Sequence, residues 1–124
     1  MTDLEVTKLC AEAMKFSACR PYGGASHRFQ IAHAGFGWEL YDPLHDDAQA
    51  MALVKRLRVM LRPEYSGGVY DRKLTGRWIA ATNTAGLNDY QEVNADLNRA
   101  ICECVAKMQA ARTQLASHSP ATPV

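Results

Sequence analysis

The sequence has no long apolar run, no recognisable catalytic signature and almost no net charge. Each absence closes off a class of function. No stretch approaches the ~18 consecutive apolar residues a membrane-spanning helix needs. The opening Met1-Thr2-Asp3-Leu4-Glu5 is acidic and polar where a secretory signal is basic and then apolar. The expectation is a cytoplasmic protein. The net charge is +1 over 124 residues, unlike the strong basic excess of a protein that coats DNA. There is no G-x-S-x-G elbow, H-E-x-x-H pair, Walker loop or G-x-G-x-x-G turn. The expectation is a protein that is not an enzyme and uses no cofactor.

Cysteine and histidine are also sparse. Cys10, Cys19, Cys102 and Cys104 include no CxxC pair. Residues two apart on a helix face different directions, so Cys102 and Cys104 do not form a ligand pair. Without secretory context the four read as reduced thiols, used as small core hydrophobes. His27, His33, His45 and His118 stand apart from one another, and no metal site is expected.

What is present describes one folded domain. The chain is 48% hydrophobic and 22% charged, which argues against wholesale disorder. A single domain is expected over residues 1–115. The tail 116–124 is small, polar and Pro-rich and is expected to be disordered.

Thr2 with Glu5 three residues on is a capping box. Val6, Leu9, Cys10, Ala13 and Met14 follow at helical spacing, which predicts a helix over 3–15. Arg20-Pro21-Tyr22-Gly23-Gly24 reads as a loop. Arg28 to His33 and Phe36 to Tyr41 alternate like two strands of a hairpin. Asp46, with Gln49 three residues on, is a candidate N-cap for a second helix. Val59-Met60-Leu61 reads as a strand, broken by Pro63 and Ser66-Gly67-Gly68. Val69 to Leu74 is a short strand or an extended loop, Arg77 to Thr82 the last strand, and Asn83 to Asp89 a loop. From near Asn94, Leu97, Ala100, Ile101, Cys104, Val105, Met108, Ala111 and Leu115 hold a helical period over five turns. Trp38 and Trp78 are expected in the core. The fold class is α+β: a small antiparallel or mixed sheet of about four strands covered by three helices, in a three-layer sandwich.

Two clusters invite a chemical reading. Asp42, Asp46 and Asp47 beside His45 are either an acid/base or metal group, or the carboxylate-rich start of a helix. Residues 55–77 carry Lys55, Arg56, Arg58, Arg62, Arg72, Lys73 and Arg77 against Glu64 and Asp71, a local balance of seven minus two, or +5. Arg offers a planar fork for phosphate. Gly67 and Gly68 would let backbone N–H groups approach it, and Tyr65 or Tyr70 could stack on a base. The candidate ligand-binding residues are Tyr65, Gly67, Gly68, Tyr70, Arg72, Lys73 and Arg77. Tyr22 and Arg28 are a second edge of the same chemistry. The competing reading of the basic stretch is a solvated helix end and a loop.

The Asp3-Leu4-Glu5-Val6 helix, the run Tyr41-Asp42-Pro43-Leu44-His45-Asp46-Asp47-Ala48-Gln49-Ala50-Met51, the Trp78-Ile79-Ala80 strand and Leu97-Asn98-Arg99-Ala100-Ile101-Cys102-Glu103-Cys104 carry a resemblance. Together they resemble the small phage proteins of the "phage ABA sandwich" type and are similar to the NinX-like proteins of lambdoid phages. The resemblance covers roughly residues 3–110 and leaves out Arg62 to Gly76. It implies a three-layer fold and a phage accessory role, and it transfers no catalytic residue. The expected function is to counter host defence by binding and sequestering a nucleotide-derived signal without turnover, in the host bacterial cytoplasm, with a homo-oligomer as one arrangement. The alternatives are a protein-binding inhibitor of a host defence complex and a weak nucleic-acid binder.

Overall fold

The computed structural model describes residues 1–16, 18–21, 29–33, 37–84 and 87–118. Helix α1 is Asp3–Met14. Its start is the capping box: Thr2 Oγ1 accepts from Glu5 N–H at 3.1 Å, and Glu5 Oε2 accepts from Thr2 N–H at 3.2 Å. Strands β1 (Ala18–Pro21), β2 (Phe29–His33) and β3 (Gly37–Tyr41) form an antiparallel sheet in chain order. Helix α2 is Asp47–Leu57. Asp46 caps it, Oδ1 accepting from Gln49 N–H at 3.0 Å. The Gln49 side chain donates to Leu40 O and accepts from Asp42 N–H, which ties the end of β3 to the first turn of α2. Strands β4 (Met60–Ser66), β5 (Lys73–Thr84) and β6 (Leu87–Asn94) form a second antiparallel sheet, and α3 is Leu97–His118.

The α+β class is as read from the sequence. Among the described residues, however, the strands are six in two three-stranded antiparallel sheets, in place of one sheet of about four. Three local readings change with them. Residues 18–21 are a strand: Ala18 to Pro21 pair with Ala32 to Phe29, with Pro21 at the strand's end. Pro63 does not break β4, because β4 is an edge strand and a missing N–H is tolerated there. Arg77 to Thr82 lies inside β5, and β6 follows it. The stretch read as a loop from Asn83 is largely ladder, with a register shift between Thr82 and Asn83. Residues 119–124 of the expected tail lie outside the described residues.

Helix α3 is the centre of the molecule. Ala100, Ile101, Cys102, Cys104, Val105 and Ala106 are fully buried. They pack with Val6 and Cys10 of α1, Leu53 of α2, Phe29 and Ile31 of β2, and Ala80 of β5 in one continuous core. Alternation along β5 follows from this. Ala80 and Thr82 face α3, while Ile79 and Ala81 point to the reverse side. Met108, further along α3, is buried as well. Cys10, Cys102 and Cys104 are core residues, and Cys19 is exposed. Arg99 fastens α3 to α1, donating to both carboxylate oxygens of Asp3 and to Glu103.

The tryptophans depart from expectation. Trp38 is 41% exposed and Trp78 is 37% exposed. Trp38 stands on the outer face of the first sheet, opposite Ala32. Trp78 pairs with Pro63, two residues along β5 from the core position Ala80. No helix is long and apolar enough to cross a membrane.

Candidate binding site on the β4–β5 hairpin

The β4–β5 hairpin carries most of the residues the sequence singles out, and residues 65–78 are exposed without interruption. Its turn closes on itself. Gly68 N–H donates to Asp71 Oδ1 at 2.6 Å, and Asp71 N–H donates to Gly68 O at 3.4 Å. Gly67 has φ +92°, and a Cβ there would lie 2.6 Å from Asp71 O. The glycines are therefore explained by the turn's own close approach. The N–H of Gly68, expected to meet a phosphate, is already held by the chain's own carboxylate.

Below the turn the register shifts between Pro63 and Tyr65, so that Thr75, Gly76 and Arg77 bulge opposite Glu64. Glu64 Oε1 clasps the bulge. It accepts from Thr75 Oγ1 at 2.9 Å and from Arg77 Nε at 2.8 Å, with Arg77 Nη2 at 2.5 Å. The Thr75 hydroxyl, and then the Arg77 guanidinium, hold the Glu64 carboxyl below its ordinary range. Arg77, expected to neutralise phosphate, is engaged by this carboxylate.

The bulge leaves two cross-strand pairs, Pro63 with Trp78 and Tyr65 with Leu74. Pro63 and Tyr65 are two apart on β4, so both pairs stand on one face. They line a shallow depression of about 260 Å³, with Gly76 and Arg77 completing its wall. The Arg72 guanidinium lies over the Tyr65 ring, 4.4 Å from its centroid. This contact holds the long side chain by a cation–π interaction.

The structure thus brings together Tyr65, Arg72 and Arg77 of the expected site. It places Gly67, Gly68 and Tyr70 in the turn beyond the depression, and Lys73 opposite Ser66 at the end of the ladder. Tyr22 and Arg28 lie outside the described residues. Sequence reasoning missed Pro63, Leu74 and Trp78. The signal was their cross-strand pairing, which is hidden when Pro63 is taken as a strand breaker. It also missed Glu64, whose role depends on the bulge.

Elsewhere two polar clusters are engaged within the chain. His45 Nδ1 lies 2.9 Å from Asp42 Oδ2, and Asp46 caps α2. That cluster is therefore a helix entry. The cleft of about 360 Å³ beside Met1 and Val6 is walled by Glu92, Glu103 and Lys107. There Lys107 pairs with Glu92, and Glu103 with Arg99. Among the described residues no cluster of His, Cys, Asp and Glu could hold a metal ion. Arg20 repeats the hairpin's stacking on the first sheet, 3.9 Å over Trp38, with its Nε–H donated to Gln30.

No family model matches this chain, and comparison with curated proteins and with solved structures yields no match.

Proposed function

We propose that this chain is a non-catalytic binding protein that engages a partner protein through the β4–β5 hairpin. One observation carries the reading: the uninterrupted exposure of residues 65–78, which include Tyr65, Val69, Tyr70, Leu74 and Trp78. Apolar surface gathered on one exposed element marks an interaction site. Tyr, Trp and Arg are the residues that dominate binding energy at protein interfaces. Arg72 stacked on Tyr65 is already partly ordered, which lowers the entropy lost on binding. The resemblance to small phage accessory proteins suggests a partner in a host defence complex and the bacterial cytoplasm as the place of action.

Sequestration of a nucleotide is the second reading, favoured by the Arg72–Tyr65 stack beside the exposed Trp78 ring. Its demands are greater. Nanomolar affinity needs about −12 kcal/mol. Small-molecule sites are commonly roughly 300–1,000 Å³ and enclose most of the ligand. The hairpin's depression is smaller and open, and two groups of the expected phosphate cradle, Gly68 N–H and Arg77, are engaged within the chain. A nucleotide site would need a second copy of the chain to close it.

The test is crosslinking in host cells with a photoreactive residue at position 70, followed by affinity measurement with the purified crosslinked protein. The expected result is a single host protein bound by the wild type and at least tenfold more weakly by Trp78→Ser and Tyr65→Ser. Equal affinity of all three would refute the assignment. A stoichiometric nucleotide released by heating the purified chain would replace it with the second reading.

A further inference from the structure

The second sheet has a reverse face that the hairpin site does not use. Among the described elements α3 is the one that packs broadly on this sheet, and it does so on the side of Ala80, Thr82 and Tyr90. On the other side Met60 pairs with Ala81 and Arg62 with Ile79. Ile79 and Ala81 are buried yet stand outside the main core cluster. Met60, Arg62, Ile79, Ala81 and Gln91 line a depression of about 190 Å³ there. The small side chain of Ala81 leaves the hollow, and Met60, 47% exposed, stands at its side.

The charge on the chain that leads into this hollow is one-sided. The stretch 55–62 holds Lys55, Arg56, Arg58 and Arg62 and no carboxylate. All four are exposed. None of the four has an ion-pair partner among the described residues, whereas Arg77, Arg99 and Lys107 each have one. Connectivity keeps them close. Lys55 to Arg58 is one helical turn, and Arg58 to Arg62 spans at most ~14 Å of chain. The surface is thus a hollow with an apolar floor and Arg62 in its lining, and the cations at the end of α2 precede Arg62 by four to seven residues of chain.

We propose that the reverse face of the β4–β5–β6 sheet docks an acidic amphipathic helix. Its apolar ridge would enter the hollow over Ile79 and Ala81, and its carboxylates would meet Arg62 and the cations at the end of α2. Charge complementarity selects the acidic partner. The apolar floor selects a helix over nucleic acid, because a phosphate backbone gains nothing from Met60, Ile79 and Ala81. This hollow also has no aromatic ring in its lining on which a base could stack. Helix-in-groove recognition of this kind reads anchors at i, i+3, i+4 and i+7.

The probe is a designed 18-residue Leu/Glu peptide with one apolar face, titrated by fluorescence anisotropy against the full chain. The comparisons are an unstructured polyglutamate of equal charge and a short DNA duplex. The expected result is saturable binding of the helical peptide alone. It should weaken at least tenfold in Arg62→Glu and in Ala81→Gln, and stay unchanged in Arg112→Glu, the same charge change at an exposed position of α3. Arg62 is exposed, so Arg62→Glu keeps the fold even if Ala81→Gln does not, and thermal melts of each variant report this. Absence of peptide binding by the wild type overturns the proposal. Equal binding of polyglutamate or duplex also overturns it, leaving a strip that attracts any polyanion. A peptide that binds Arg62→Glu as tightly as the wild type places the site elsewhere.

Discussion

The Arg77 guanidinium and the Glu64 carboxylate meet across the β4–β5 bulge, Nε to Oε1 at 2.8 Å, and the same oxygen accepts from Thr75. One carboxylate therefore fixes the three-residue excursion that sets Trp78 beside Pro63 and Leu74 beside Tyr65. The depression depends on that clasp as much as on the residues lining it.

The clasp has a pH signature. The Glu64 carboxyl is held below its ordinary range, so its folded pKa is depressed relative to the unfolded chain. A group of this kind contributes stability that is complete above the unfolded value, near 4.5, and is lost as pH falls through the folded value. Carbon-detected NMR titration should give Glu64 a midpoint below the ordinary value near 4.5. Thr75→Val and Arg77→Ala should each move it upward. A Glu64 midpoint at or above 4.5 would show that the clasp is absent in solution.

The turn makes a second prediction, on two glycines of similar backbone sign and different surroundings. Gly37 has φ +72° with open space at its Cβ position, while Gly67 has φ +92° with Asp71 O at 2.6 Å. Gly37→Ala should cost about 1–2 kcal/mol, the penalty of a left-handed conformation alone. Gly67→Ala must also displace the Asp71 backbone. Its loss should show as faster amide exchange at Gly68 and Asp71, with the protection of α3 unchanged. Equal exchange at these two amides in the variant and the wild type would contradict the turn's geometry.

Much of this architecture is legible in the residues. Thr2 with Glu5 and Asp46 with Gln49 mark two helix starts, because capping is local chemistry. The period of Ala100, Ile101, Cys104, Val105 and Met108 marks the buried face of α3. The strands are less legible, because their identity lies in what they pair with. Pro63 reads as a breaker until β4 is known to be an edge, and Arg20 and Pro21 read as the start of a loop until Gln30 and Phe29 are beside them. The candidate site divides in the same way. Tyr65 and Arg72 are visible as chemistry. That Gly68 N–H and Arg77 are satisfied by Asp71 and Glu64 follows only from the turn and the bulge.

The cysteines make a third prediction. Burial raises the Cys104 thiol to about 11, and a hydrogen bond with Cys102 together with burial raises Cys10. A thiol reacts as its thiolate, so these groups are inert as well as hidden. Cys19 is exposed. Titration with a thiol-specific chromogenic disulfide at pH 8 should therefore find one prompt thiol, and the other three only after denaturant is added. Cys19→Ser should abolish the prompt phase. A second prompt thiol in the wild type would mean that the packing of α1 against α3 opens readily.

The last prediction separates what holds the fold from what the hairpin does. Ile101 and Leu53 are fully buried in the core, whereas Tyr70 and Val69 are almost wholly exposed. Removing a buried aliphatic side chain loses its transfer free energy and leaves a cavity, so Ile101→Ala and Leu53→Ala should each cost about 2–5 kcal/mol in urea unfolding. Tyr70→Ser and Val69→Ser remove surface that folding does not bury, and surface changes of this kind usually fall within about 0.5 kcal/mol. The two hairpin variants should therefore unfold at the wild-type urea midpoint while changing partner binding. If Tyr70→Ser destabilised the chain as much as Ile101→Ala does, the Tyr70 ring would be packed in solution. The exposed hairpin would then be part of the fold, and its apolar residues would need no partner to explain them.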